Sequence, residues 1–263
     1  MADKALKIIA DLQNAYAETP EVYSAILFGK KGVGKTTCLR TAVAPILLFS
    51  FDPQGHHVLR DEIDSGRVIP VLFDKENPKK PHIFTDFDRM FTDMLKANLF
   101  DKIGTVVIDS ITTLSECIML DVLRKANRID GYPQQNDYPM QMAIIRRIVL
   151  EVTGLPCHSI FIGHTDQIKD DVSGLIQTVP ELVGKLKTKI PLLFSEMYFV
   201  DADSDDKGNW STTFQTRGDK RRTASSRLGT AGTLDKIEPA DFKYLLKKAG
   251  RDHSDKPLLN GAS

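Results

Sequence analysis

The chain has 263 residues, enough for one or two domains with a sizeable core. Hydrophobic residues make up 41% and charged residues 27%, which excludes a disordered chain. Lys+Arg 35 balances Asp+Glu 35, so net charge gives no general attraction to nucleic acid and any basic surface must be local.

The start, MADKALKIIADLQNAY, is charged and amphipathic and has no signal-peptide core. Leu6, Ile9, Leu12 and Tyr16 fall at helical spacing, which predicts a helix over 3–17 that Thr19-Pro20 ends. Ala25-Ile26-Leu27-Phe28 reads as a buried strand running into a glycine loop. Residues 36–40 can open a helix after it. Ile46 to Phe51 reads as a second buried strand, broken by Asp52-Pro53-Gln54-Gly55. Thr85-Asp86-Phe87-Asp88 opens a helix with Phe87, Met90, Phe91, Met94 and Leu95 on one face. Thr105 to Ile108 is a third apolar strand. Helices are expected over 111–126 and 140–153, around a polar loop at 127–139. Ser159 to Gly163 is a fourth strand, and 166–189 reads as a long polar loop. Two alternating strands, Glu196–Val200 and Trp210–Thr216, flank DADSDDKGN. Glu238-Pro239 is expected to start a last helix that Gly250 stops, and 251–263 to be a flexible tail.

Apolar strands alternating with helices up to about residue 165 imply a parallel sheet covered on both faces. No linker divides residues 1–250, which read as one domain that includes an N-terminal helix within 1–20. No apolar run reaches the roughly 18 residues of a spanning helix. Cys38, Cys117 and Cys157 lie too far apart for a disulfide framework or a paired-cysteine zinc site. The expectation is a reduced, cytoplasmic protein with no membrane contact.

Gly29-Lys30-Lys31-Gly32-Val33-Gly34-Lys35-Thr36 matches G-x-x-x-x-G-K-[ST] in full, after a strand and before Thr37. Glycines let backbone N–H groups turn inward around phosphates, Lys35 reaches the β/γ-phosphates, and the Thr36 hydroxyl binds Mg²⁺. The alternative is a plain glycine turn before a helix. Asp109 ends an apolar strand, where a carboxylate reaches the same Mg²⁺ or simply caps the next helix. The cofactors expected are ATP and Mg²⁺.

Asp109-Ser110 followed by Ile111-Thr112-Thr113-Leu114 resembles the RecA-like branch of P-loop ATPases. Asp137-Tyr138, Gly163-His164, Val179-Pro180-Glu181-Leu182-Val183-Gly184-Lys185 and Arg227-Leu228-Gly229 resemble the compact phage-type members associated with single-strand annealing and recombination. The resemblance spans about residues 22–250. It implies an α/β RecA-like core, mostly parallel, with antiparallel strands near the C-terminus.

It also implies a γ-phosphate sensor at His164, although a strand-end histidine is equally read as structural. A carboxylate that activates water is implied near Gly55, and here the sequence departs: Gln54 stands there, with Asp52 two positions earlier. Asp52 serves as base, Gln54 orients water, or Asp52 caps the turn before Pro53. The basic stretch Arg217 to Arg227 is implied to carry a finger for a neighbouring subunit's phosphate, with Arg227 first and Arg217 second, or else it is a solvated turn. The loop 166–189, with Lys169, Lys185, Lys187 and Lys189, is implied to bind single-stranded DNA, with Tyr132 and Tyr138 as stacking candidates, or is an ordinary surface loop. Self-association into a ring or filament follows from the same resemblance. Two other functions compete. One is a small-molecule or nucleotide kinase with Arg146-Arg147 as lid. The other is a nucleotide-bound adaptor that hydrolyses little.

Overall fold

The computed structural model describes residues 2–17, 21–169, 174–204 and 207–259. Four short, largely apolar strands, buried throughout except for the half-buried Ser24, build the middle of one sheet: β1 (Ser24–Phe28), β2 (Ile46–Ser50), β4 (Thr105–Asp109) and β5 (His158–Gly163). Continuous apolar runs of this length fit strands covered on both faces. They lie parallel in the order β1-β5-β4-β2. After the short helix α2 (Arg60–Asp64), β3 (Val68–Leu72) adds to β2 as a parallel edge strand. On the far side of β1 come β8 (Glu196–Ser204), parallel to β1, then β9 (Trp210–Gln215) and β11 (Ile237–Pro239), both antiparallel; the two-residue β10 (Ser225–Ser226) pairs with the start of β8. The expected α/β fold, mostly parallel with late antiparallel strands, is what the chain forms.

One face of the sheet is covered by α3 (Ile83–Lys96), α4 (Ile111–Lys125) and α5 (Asp137–Thr153), with Phe49, Phe51, Phe87, Phe91 and Phe161 in a single apolar cluster. The other face packs Val33, Leu39 and Phe214 against α7 (Phe242–Lys248). Ser50, Asp109, Ile162 and Leu27 stand level across the four central strands. Everything that follows these residues therefore gathers along one edge, the carboxyl end of the sheet, where ligands of such folds bind.

Several expectations are corrected. The helix after the glycine loop is only a 3-10 turn, Thr37–Thr41. Pro45 lacks an N–H and disfavours helical geometry at Ala44, so the turn has no room to lengthen before β2. The polar loop 166–189 is largely ordered: β6 (Thr165–Lys169) and β7 (Ile176–Pro180) form a hairpin, and Leu186–Lys189 a short helix, α6. Residues 170–173 of that loop lie outside the described residues. Glu238-Pro239 ends an edge strand, and the last helix begins instead at Asp241, whose side chain caps Tyr244 N at 2.8 Å. β3 was not expected, because Pro70 removes a ladder donor; the edge position tolerates it.

The tail is docked rather than loose over residues 251–259. Asp255 accepts from Ala44 N at 2.7 Å, Arg67 at 2.7 Å and Lys243 at 2.8 Å, and these donors hold its pKa down at about 2. Lys256 donates to the carbonyls of Asp101 and Ile103 at 3.0 and 2.7 Å. Leu258 and Leu259 add to the two apolar clusters. The first helix, α1 (Ala2–Ala17), forms as expected, with Leu6, Ile9 and Leu12 exposed. Among the described residues no helix is long and apolar enough to cross a membrane.

Candidate nucleotide and metal site

The loop after β1 is built for close approach. Gly32 and Gly34 adopt φ of 86° and 90°, where a side chain would be strained. A Cβ at Gly29 would lie 2.4 Å from the Val200 carbonyl, so no other residue fits against β8. Within the protein, among the described residues, the N–H groups of Gly32 to Lys35 find no acceptor. Val33, Gly34 and Lys35 are buried or half-buried, and donors in this state lack a partner that an anion would supply. Lys35 is only 7% exposed and its Nζ donates to the carbonyls of Gly29 and Lys30, both at 2.8 Å. Burial lowers its pKa, while Asp109 and Asp52 pull it back up. The ammonium thus lies across the mouth of the loop. Gly29, Lys30, Lys31, Gly32, Val33, Gly34, Lys35, Thr36 and Thr37 run from the end of β1 into the 3-10 turn, with Lys30 and Lys31 turned to solvent.

Thr36 Oγ1 donates to Asp109 Oδ2 at 2.7 Å, across 73 residues of sequence. Asp109 is 2% exposed, and burial, aided by the nearby charge of Asp52, raises its pKa to about 6. A carboxylate and a hydroxyl, both hard oxygen donors and short of positive charge, fit Mg²⁺. Among the described residues no cluster of three His, Cys, Asp or Glu side chains could hold a metal alone. Mg²⁺ at a nucleotide site takes most of its ligands from phosphate oxygens and water. When bound it would neutralise phosphate charge; Thr36 and Asp109 are the residues that would hold it.

Asp52 sits beside this pair. Its Oδ1 accepts from Ser110 Oγ at 2.9 Å and from the Thr113 hydroxyl. Its Oδ2 faces His164 Nε2 at 3.8 Å. His164 N donates to Thr112 Oγ1 at 3.2 Å. Ser110 also caps α4 by accepting from Thr113 N. Gln54 is exposed, with φ 58°, at the head of the following turn. A cleft of about 600 Å³ collects Lys35, Thr36, Asp52, Gln54, Asp109 and His164. The arrangement offers phosphate donors, a metal carboxylate and a second carboxylate fixed by two hydroxyls. Ser110, Thr112 and Thr113 escaped sequence reasoning as site residues. The signal was their spacing after Asp109, which returns Thr113 over Asp52 in one helical turn.

A family model described as an AAA domain matches residues 21–228. The chain belongs to that family. It is a P-loop ATPase domain, and the G-x-x-x-x-G-K-[ST] motif of this chain is Gly29–Thr36. A solved structure of a prototypical ATPase from the type III secretion system of pathogenic bacteria overlaps in part, at 14% identity and a TM-score of 0.41. The match covers 68% of this chain and 52% of that one, so the chain spans about half that ATPase's length. A search of curated proteins finds no match.

Arg227 lies elsewhere. Its N–H donates to Ser195 O at 3.2 Å and Glu196 Oε1 at 3.1 Å. Glu196 pairs with Ala25, at the amino end of β1. The exposed Arg227 is therefore about 13 Å of strand away from its own P-loop, at the opposite edge of the sheet. Arg217 is tied to Leu234 O at 2.5 Å. Arg222 pairs with Asp201 at 2.8 Å and lies over the Phe199 ring, so the basic stretch is not simply solvated. Lys220 and Arg221 are exposed. The stretch is stitched to β7: Thr178 N donates to Arg221 O at 2.7 Å and Thr223 N to Thr178 O at 3.3 Å. Lys187 pairs with Asp166, which leaves Lys169, Lys185 and Lys189 exposed. Tyr132 and Tyr138 are also exposed.

Proposed function

We propose that the chain is a RecA-like ATPase that hydrolyses Mg·ATP, self-associates, and binds single-stranded DNA in strand annealing or recombination of the phage type. One observation carries the reading. The hairpin bearing Lys169 springs directly from His164, the residue that faces Asp52 in the cleft. Glu181 N closes the hairpin onto His164 O at 2.9 Å. A terminal phosphate that moves the imidazole therefore moves the base of the hairpin. In this reading Asp52 takes the proton of the attacking water and Gln54 orients that water. Against the kinase alternative, one of its two lid arginines, Arg147, is held by Asp88 at 2.6 Å and Glu151 at 2.9 Å. The reading places the protein in the cytoplasm, the host's if a phage encodes it.

Binding to a single-stranded oligonucleotide is expected to be sequence-tolerant and strengthened by ATP. Three exposed lysines, Lys169, Lys185 and Lys189, would give log K a slope of about −2 against log salt, from roughly −0.7 per neutralised phosphate. Fluorescence anisotropy across a salt series, with and without a slowly hydrolysed ATP analogue, measures both effects. Binding indifferent to salt and nucleotide would remove DNA from the account.

The position of Arg227 makes a second result specific. Too far from its own phosphates, it acts only on a neighbour's. Arg227→Ala should bind ATP normally and lose about 10³-fold or more in turnover of the assembled protein. Mixing it with Lys35→Ala subunits should restore part of the activity, because adjacent defective subunits complete one site. If both variants assemble and mixing restores nothing, Arg227 is no finger.

A further inference from the structure

The chain contains one tryptophan, Trp210, and it is 62% exposed. Its place in the fold is specific. β8 pairs with β1 as far as Phe199 opposite Phe28, and its last five residues continue past the carboxyl end of β1, where the P-loop begins. β9 returns beside this extension, with Trp210 opposite Ser204 and Thr212 opposite Ala202. The hairpin is thus a wall standing along the loop. Alternate residues of a strand share a face, so Trp210, Thr212 and Phe214 point the same way. That way is toward the P-loop. Thr212 Oγ1 donates to Val33 O at 3.1 Å and its side chain lies against Gly34. Phe214 belongs to the same cluster as Val33 and Leu39. Trp210 is one step farther along this face, about 7 Å beyond Thr212.

The direction of a bound nucleotide decides what meets the ring. Thr36 and Asp109 fix the metal end. Asp52, Gln54, Asp109 and His164 all follow or end β2, β4 and β5, on one side of β1, whereas β8 and β9 lie on the other. A triphosphate laid along the loop with its terminal phosphate toward Asp109 and His164 sends its sugar and base the opposite way. It leaves over the exposed Thr37, toward the β8–β9 wall. The wall is braced there: Ala240 N donates to Thr212 O at 3.1 Å, and Phe242 N to Thr41 Oγ1 at 2.9 Å.

We infer that Trp210 is the stacking platform for the nucleobase of the bound nucleotide, an inference that rests on the nucleotide site proposed for Gly29–Thr36. The indole covers one face of the base ring and shields it from water. Stacking uses the π-face common to all bases and reads no hydrogen-bonding edge, so it favours a nucleotide over bare polyphosphate without choosing between ATP and GTP.

Because Trp210 is the sole tryptophan, its emission reports on this site alone. The experiment titrates the full chain, with Mg²⁺, with ATP, GTP and inorganic tripolyphosphate, following tryptophan fluorescence and binding calorimetry. ATP and GTP are expected to change the emission and tripolyphosphate to leave it unchanged. Trp210→Ala should weaken ATP about tenfold and leave tripolyphosphate affinity as it was, while Trp210→Phe recovers most of the loss. An equal emission change with tripolyphosphate, or wild-type ATP affinity in Trp210→Ala, overturns the inference alone. Binding of neither ATP nor tripolyphosphate overturns the nucleotide site itself, and this inference with it.

Discussion

Lys35→Ala is expected to abolish ATP turnover. The side chain is the one buried cation of the loop, fixed by the Gly29 and Lys30 carbonyls so that its ammonium lies where phosphates must pass. Burial without a full countercharge already lowers its pKa, so the site holds a cation that lacks a close anion. A phosphate would supply one. Charge-assisted hydrogen bonds are worth about 1.5–3 kcal/mol, which predicts roughly 10- to 150-fold weaker nucleotide binding. Turnover should fall further, by about 10²–10³ or more, because the contact strengthens as charge builds on the transferred group. Calorimetry and phosphate release measure the two losses separately. Turnover near the wild-type level would show that the loop does not cradle the reacting phosphates.

Asp109→Asn is expected to move activity and stability in opposite directions. Loss of the carboxylate removes the metal ligand opposite Thr36, so Mg²⁺-dependent turnover should collapse. Without ligands, however, the charged Asp109 is a burden on the fold. Its pKa is raised from 3.8 to about 6, chiefly by burial. A carboxyl with a raised folded-state pKa favours the folded state at low pH. That advantage is lost as pH rises through about 6. Two pKa units correspond to a cost on the order of 3 kcal/mol at neutral pH. The amide introduced by Asp109→Asn is neutral, avoids this cost and still accepts from Thr36. Urea melts of the ligand-free proteins at pH 7.5 should find Asp109→Asn the more stable, with the gap closing by about pH 4. A variant less stable than wild type at pH 7.5 would mean that the carboxylate supports the fold rather than the ion.

The parts of this site that the sequence announces are those where one residue type is the only solution. Gly29, Gly32 and Gly34 are required by close approach and positive φ, and Lys35, Thr36 and Asp109 by the charges they meet. The central strands are legible because burial on both faces demands unbroken apolar runs. What the sequence hides depends on pairing between distant segments. The hairpin at 165–180 mixes polar and apolar residues on both faces, so its alternation says little, and its anchoring comes from Arg221 and Thr223 far along the chain. β3 is masked by Pro70, and the start of the last helix by Pro239, since edge positions excuse a missing N–H. The tail reads as loose because the partners of Asp255 and Lys256 include main-chain groups of Ala44, Asp101 and Ile103. No residue type marks such groups. The same holds for Asp52: its two hydroxyl donors lie at the N-cap and first turn of α4, just after the neighbouring strand β4, and only the sheet register brings them together.

The central claim is that ATP hydrolysis and DNA binding meet at His164. Its most direct test is steady-state phosphate release from the purified chain with Mg·ATP, with and without a single-stranded oligonucleotide, for wild type and His164→Ala. The account predicts Mg²⁺-dependent release that rises when the oligonucleotide is added. It predicts that His164→Ala still binds both ligands and loses that rise. Release that ignores the oligonucleotide in the wild-type protein, or stimulation that survives in His164→Ala, would contradict it.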